Sequence, residues 1–204
     1  MSRYRGPVTR LSRKLGLMLF QNGQSKLKSF QKKGYKPGEH GQKRFSQMSE
    51  YSKQLQEKQK ARFLYGISEK QSHNYYKLAA KTLGMTGVNY MTLLERRLDN
   101  VIYRSGLAKT RAQARQIVGH GMIKLNGRRV KTPSIIVKTG DKFEIQEKSR
   151  GSKLFEGLDN TKFKPPKWVK SDLKKLAGEI AALPEKDDIE QAIDNQLITE
   201  FYSK

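Results

Sequence analysis

Cysteine is absent from all 204 residues, which excludes disulfide scaffolds, thiolate-bound zinc and thiol catalysis together. Histidine occurs three times, as His40, His73 and His120, with no spacing that suggests a metal site or a catalytic triad. No long apolar run, signal-type segment or basic helix with a broad apolar face is present, so no membrane partner is expected. Acid is scarce as well: 19 Asp and Glu stand against 42 Lys and Arg, a formal net charge of +23. Such an excess implies a polyanionic partner, and nucleic acid leads, because each neutralised phosphate releases counterions and adds affinity without any base-specific contact. Only 35% of the chain is hydrophobic, yet its length is enough for one or two domains with a real core.

The most informative stretch is Leu93–Lys131. Met91, Leu94, Leu98, Val101 and Ile102 recur at three-and-four spacing, a buried helical stripe that leaves Arg96, Arg97, Asn100 and Arg104 on the opposite side. Thr110, with Gln113 three residues on, reads as a capping box opening a second helix whose stripe is Ala114, Ile117 and Val118. Arg111 and Arg115 lie one turn apart on it and project side by side, and Gly119 and Gly121 end it. Asn126-Gly127 between MIKL and RRVK is a strong signal for a two-residue hairpin turn. Counting outward pairs Leu125 with Arg128, Lys124 with Arg129 and Ile123 with Val130. A like-charge pair such as Lys124 and Arg129 costs up to roughly 1 kcal/mol alone, so something negative is expected over that face. Arg104, Lys109, Arg111, Arg115, Lys124, Arg128, Arg129 and Lys131 form the candidate phosphate-gripping cluster.

Upstream, residues 1–45 form a basic arm carrying Arg3, Arg5, Arg10, Arg13, Lys14, Lys43 and Arg44, with one short helix around Leu11 to Phe20 and the rest extended until phosphates neutralise it. A turn-rich hinge, Pro37-Gly38-Glu39-His40-Gly41, ends the arm. Ser49 to Tyr65 reads as a helix presenting Lys53, Lys58, Lys60 and Arg62, and Ser68 with Gln71 opens another that runs to Gly84. Beyond the hairpin, Pro133–Val137 is an apolar edge, Phe143 and Ile145 alternate as a half-buried strand, and the module closes near Glu147. Residues 148–167 read as a linker, and Trp168 as a core residue. From Pro184 the charge reverses: Glu185, Asp187, Asp188, Glu190, Asp194 and Glu200 face only Lys186 and Lys204. Ile189, Ile193, Leu197, Ile198, Phe201 and Tyr202 suggest a helix and a short strand that pack home, with the acidic side toward solvent or another protein.

In order and spacing these motifs resemble one family over essentially the whole chain: the fourth protein of the small ribosomal subunit, ribosomal protein S-four, in its bacterial and organellar form. The residues that carry the resemblance are the Pro37–Gly41 hinge, Gln54–Arg62 leading into Tyr65-Gly66, Leu94–Val101 with Tyr103-Arg104, Arg111–Gln116, His120-Gly121, Asn126-Gly127, and Asn195–Ile198 to Glu200–Ser203. Many members hold zinc through cysteines in the arm; this chain resembles the zinc-free form and needs no cofactor. The resemblance implies an α+β fold: a helical domain from residues 46–89 and 150–204, an inserted helix-helix-β-hairpin RNA-binding module over 90–149, and the basic extension 1–45. It implies a primary assembly role on the five-prime domain of small-subunit ribosomal RNA. It further implies contact with ribosomal protein S-five, through a surface including Glu190, Leu197, Glu200 and Tyr202. Lys43 and Arg44 match the region lining the channel through which messenger RNA enters, with a bearing on decoding accuracy. The setting it implies is a cytoplasmic bacterial ribosome or an organellar one.

Two other classes share some of these features. RNA-modifying enzymes and synthetases carry the same small module beside a catalytic domain, but the flanking helices here show no Gly-rich phosphate loop. A DNA-binding regulator needs one helix that reads major-groove edges, whereas cations spread over several elements suit RNA, which is read by shape and backbone. The reading is phosphate and shape recognition without chemistry.

Overall fold

The computed structural model describes residues 4, 6–19, 28, 30–42, 47–158 and 164–203. The chain divides into two compact units, one of residues 1–90 and 190–204 and one of residues 91–189.

In the first unit, helix α1 (Val8–Leu15) ends at Gly16, whose φ of 66° closes it through a bond to the Ser12 carbonyl. Helix α2 (Glu50–Leu64) starts at Ser49, whose hydroxyl accepts from the Ser52 amide, and α3 (Glu69–Ala80) starts with the expected Ser68–Gln71 capping box, both halves formed. Helix α4 (Thr86–Glu95) begins in this unit and ends in the other. The C-terminal helix, which follows the sheet described below in chain order and is numbered α8 (Asn195–Tyr202), is capped by Asp194 and packs along α2. A Cβ on Gly87 would lie 2.8 Å from the Asn195 carbonyl, so only glycine lets α4 approach α8 this closely.

The second unit holds α5 (Leu98–Arg104) and α6 (Arg111–Gly119), followed by β1 (Ile123–Leu125), β2 (Arg128–Val130), β3 (Lys142–Ile145), a single helical turn α7 (Glu147–Arg150), β4 (Val169–Asp172) and β5 (Ala177–Ile180). A 3₁₀ turn at Lys186–Asp188 comes before α8. The strands form one antiparallel sheet in the order β2-β1-β3-β5-β4. Its core joins Leu98, Ile102, Ile117, Ile123, Phe143 and Ile145 to Phe155, Leu158, Trp168, Val169 and Ile180. The β1–β2 register is the one counted from the turn, and Asn126 and Gly127 both take positive φ, 49° and 77°, as a type I′ turn requires.

Three expectations are revised. The stripe from Met91 to Ile102 is two helices, not one: the backbone breaks at Arg97, which pairs with Ile136, while the Leu98 amide donates to the Ile135 carbonyl at 2.8 Å and the Val137 amide to the Arg96 carbonyl at 2.9 Å. Residues 150–189 do not return to the helical part, because β5 pairs with the free edge of β3 and Trp168, 1% exposed, closes the core beneath the sheet. Only residues 190–204 go back to the first unit. The short strand expected after Pro184 is not found among the described residues, where 3₁₀ and α-helix stand instead. Within the sheet, Phe143 lies opposite Gly178, and a Cβ there would meet the Phe143 ring at 2.5 Å.

Candidate nucleic-acid interface

The candidate surface of the second unit is built upward from two buried carboxylates. Glu95 is 0% exposed, at the end of α4, and accepts from both arms of the Arg104 guanidinium at 2.8 and 3.0 Å and from the Asn100 side-chain amide at 2.6 Å. Asn100 passes the link on: its Oδ1 accepts from Arg111 Nε at 2.9 Å, and the Arg111 guanidinium lies over the Tyr103 ring, 4.5 Å from its centroid. Asp99, 5% exposed, takes the fork of the fully buried Arg97 at 2.7 and 3.1 Å, accepts from the Asn100 amide at 3.0 Å, and lies 3.8 Å from Arg115. Arg104, Arg97 and Arg115 thus rest on two carboxylates, and Arg111 is linked to them through Asn100. Arg111 and Arg115 emerge partly exposed on the same side of α6, as their spacing requires. Arg96 donates to the Val137 carbonyl, and burial lowers its pKa against the opposing influence of Asp141.

This arrangement separates the expected cluster into two kinds of residue. Lys109, Arg128 and Lys131 are exposed. Arg104 is committed to Glu95, and Arg129 donates to the carbonyls of Gly121 at 2.9 Å and His120 at 3.3 Å, which stitches the end of α6 to β2. Lys124 does face Arg129, but the negative charge over that face belongs to the protein: Lys124 pairs across the other edge of β1 with Glu144, 3.7 Å away, and reaches Glu147 at 3.3 Å. Glu144 carries no local signal toward Lys124, because the two meet only through the long-range pairing of β1 with β3.

In the first unit, Arg10 and Lys14 are exposed on α1. Arg13 is not a free cation: it donates to the carbonyls of Lys33, Tyr35 and Lys36 at 3.0–3.3 Å and stacks on Tyr35, clasping the described part of the arm into a fold. Arg3, Arg5, Lys43 and Arg44 lie outside the described residues. On α2, Lys53 pairs with Glu50 and Lys60 with Glu57 within one turn, and Arg62 lies 3.6 Å from Glu69. Lys58 is buried, bound to Glu69 at 2.9 Å and set 4.3 Å over the Phe201 ring, so it is a core residue that fastens α8. Of the residues expected to touch protein, Glu190 and Leu197 are half-buried, and Glu200 accepts from Gln54 and Gln196. Tyr202 turns inward, donating to Glu69 at 3.0 Å with its oxygen 2.9 Å from the Ser72 hydroxyl; Ser72 also meets the Tyr90 hydroxyl at 2.7 Å. Burial pushes the Tyr90 phenol up to about 12 and raises that of Tyr202 too.

Among the described residues no group of His, Asp and Glu is arranged to hold a metal ion, and no helix is long and apolar enough to cross a membrane. A sheet and two helices that present oriented cations over buried carboxylates define a nucleic-acid-binding module. Comparison with known proteins gives it a family. The model of the ribosomal protein S4/S9 N-terminal domain matches residues 3–95, and that of the S4 domain matches residues 96–143. Small ribosomal subunit protein uS4 of Halothermothrix orenii is 45% identical over 209 residues, covering the whole of both chains. The proteins of the same name from Levilactobacillus brevis and Herpetosiphon aurantiacus are 45% and 43% identical, again over the whole of both chains. The chain belongs to the ribosomal protein S4 family, whose members are structural proteins and not enzymes.

Proposed function

We propose that the chain is a structural component of the small ribosomal subunit in the bacterial cytoplasm, where it binds the five-prime domain of small-subunit ribosomal RNA as a primary assembly protein. The observation that carries this reading is the Arg111–Arg115 pair, held from beneath by Asn100 and Asp99, in a unit that also exposes Lys109 and Arg128. Guanidiniums that the protein has already oriented lose little freedom when they meet phosphate, and their several N–H donors serve both partners. Arg10 and Lys14 on α1 supply a second, independent grip. Lys53, Lys60 and Arg62 contribute from α2, each already offset by an acid. The acidic C-terminal segment, with Glu190, Leu197 and Glu200, suits a neighbouring protein such as ribosomal protein S-five, and Lys43 and Arg44 suit the channel through which messenger RNA enters.

The test is binding to a five-prime-domain RNA fragment across a salt series. The double variant Arg111→Glu with Arg115→Glu is expected to bind more weakly and to reduce the slope of log K against log salt by about 2, since each lost phosphate contact removes about 0.9. Unchanged affinity, with Trp168 fluorescence showing the fold intact, refutes this face.

A further inference from the structure

The turn between α3 and α4 carries the most exposed aliphatic side chains among the described residues of the first unit. Leu83 is 97% exposed and Met85 70%, and Leu78 in the last turn of α3 is 47% exposed. Single exposed aliphatics are ordinary, but three within one short stretch of a protein this charged are not. The turn is also rigidly built. Asn89, on the first turns of α4, donates its side-chain amide to the carbonyls of both Thr82, at 3.1 Å, and Leu83, at 3.2 Å. Thr82 returns its hydroxyl to the Leu78 carbonyl at 3.2 Å, and Gly84 turns the chain at φ 108°. A tip held in this way loses little entropy when it is covered.

We propose that Leu83 and Met85, with Leu78, form a docking knob for a protein partner that offers an apolar pocket rimmed by carboxylates. The chemistry of the exposed side chains chooses protein over RNA. The side chains are aliphatic and thioether, with no aromatic ring to stack on a base. The exposed cations beside them, Lys77 and Lys81, complement an acidic rim around the pocket, an arrangement in which the apolar centre supplies the affinity and the charged rim the register. The partner is a protein of the assembled small subunit, and this part rests on the functional reading above.

The absence of cysteine makes the test direct. Leu83→Cys introduces the single thiol of the chain, whose alkylation rate is measured in three states: the free chain, the chain on protein-free five-prime-domain RNA, and the chain in the reconstituted small subunit. The knob predicts equally fast reaction in the first two and reaction roughly tenfold slower or more in the third, as burial at the core of an interface demands. A maleimide-diazirine reagent on the same thiol is expected to cross-link to protein in that state. Protection by RNA alone, or cross-linking to RNA, overturns the proposal, and so does a thiol as reactive in the subunit as in the free chain. A chain that never enters the subunit overturns the functional reading and with it the partner named here; entering with a reactive thiol overturns the knob alone.

Discussion

Replacing Glu95 by Gln tests whether the arginine surface is truly built from below. The carboxylate is 0% exposed and accepts side-chain hydrogen bonds from Arg104 and Asn100. The glutamine carbonyl can replace one acceptor, but its amide then points a donor at a donor. Removing one member of a buried charged pair costs about 3–5 kcal/mol. Arg104, with 22% of its side chain exposed, can turn partly to water and recover some of that, so a loss of about 2–3 kcal/mol is expected. Trp168 makes the measurement specific: it is the only tryptophan and is buried in the second unit, so its fluorescence in urea reports that unit alone. The midpoint should fall with little change in slope. The effect on RNA is expected to run differently. The substitution adds a unit of net positive charge, so non-specific binding should hold or rise, while discrimination between the five-prime-domain fragment and unrelated RNA should shrink as Asn100 and Arg111 lose their register. A stability loss below about 0.5 kcal/mol, within the range of an ordinary surface substitution, together with undiminished discrimination refutes the reasoning.

Lys124→Glu separates the lone hairpin from the complete sheet: relief of the Lys124–Arg129 repulsion alone would stabilise, whereas Glu144 and Glu147 beside it predict a loss of about 0.5–1 kcal/mol at low salt, read by the same fluorescence and fading as salt rises. The buried phenol of Tyr90 predicts alkaline loosening of the first unit. Because its folded pKa of about 12 lies above the ordinary value of 10, the folded state holds the proton more tightly, so its contribution is complete below pH 10 and is lost as pH rises toward 12. Circular dichroism alongside tyrosinate absorbance should show helix loss in that window, with a shallower loss in Tyr90→Phe; equal losses in both proteins would refute the assignment.

The hairpin, its register and the helix caps at Ser68 and Thr110 were legible because each is a local signal: Asn-Gly demands positive φ twice, and Ser68 or Thr110 needs only the amides of its own first turn. Trp168 as core and Phe143 with Ile145 as strand were legible for the same kind of reason. What escaped was non-local. Val169–Asp172 and Ala177–Ile180 contain Lys, Ser, Asp, Ala and Gly, poor strand formers by propensity, and become strands because β3 offers an open edge and Gly178 leaves room for a ring. The break at Arg97 is invisible in a stripe of apolar residues because its cause, residues 135–137, lies far along the chain. Cation counting likewise overstated the grip, since the acids that engage Lys58, Arg104 and Lys124 come from other turns and strands.

The position of β3 in the middle of the sheet has a consequence for portability. The segment recognisable as an S4 domain ends at residue 143, inside that strand, whereas the strand's second neighbour and the tryptophan beneath it arrive some thirty residues later. A cassette cut at the recognisable boundary would expose a raw strand edge and an unfilled core. Transplanting the proposed RNA-binding surface onto another protein therefore means carrying residues 91–189 as one piece, with the surface and its scaffold inherited together.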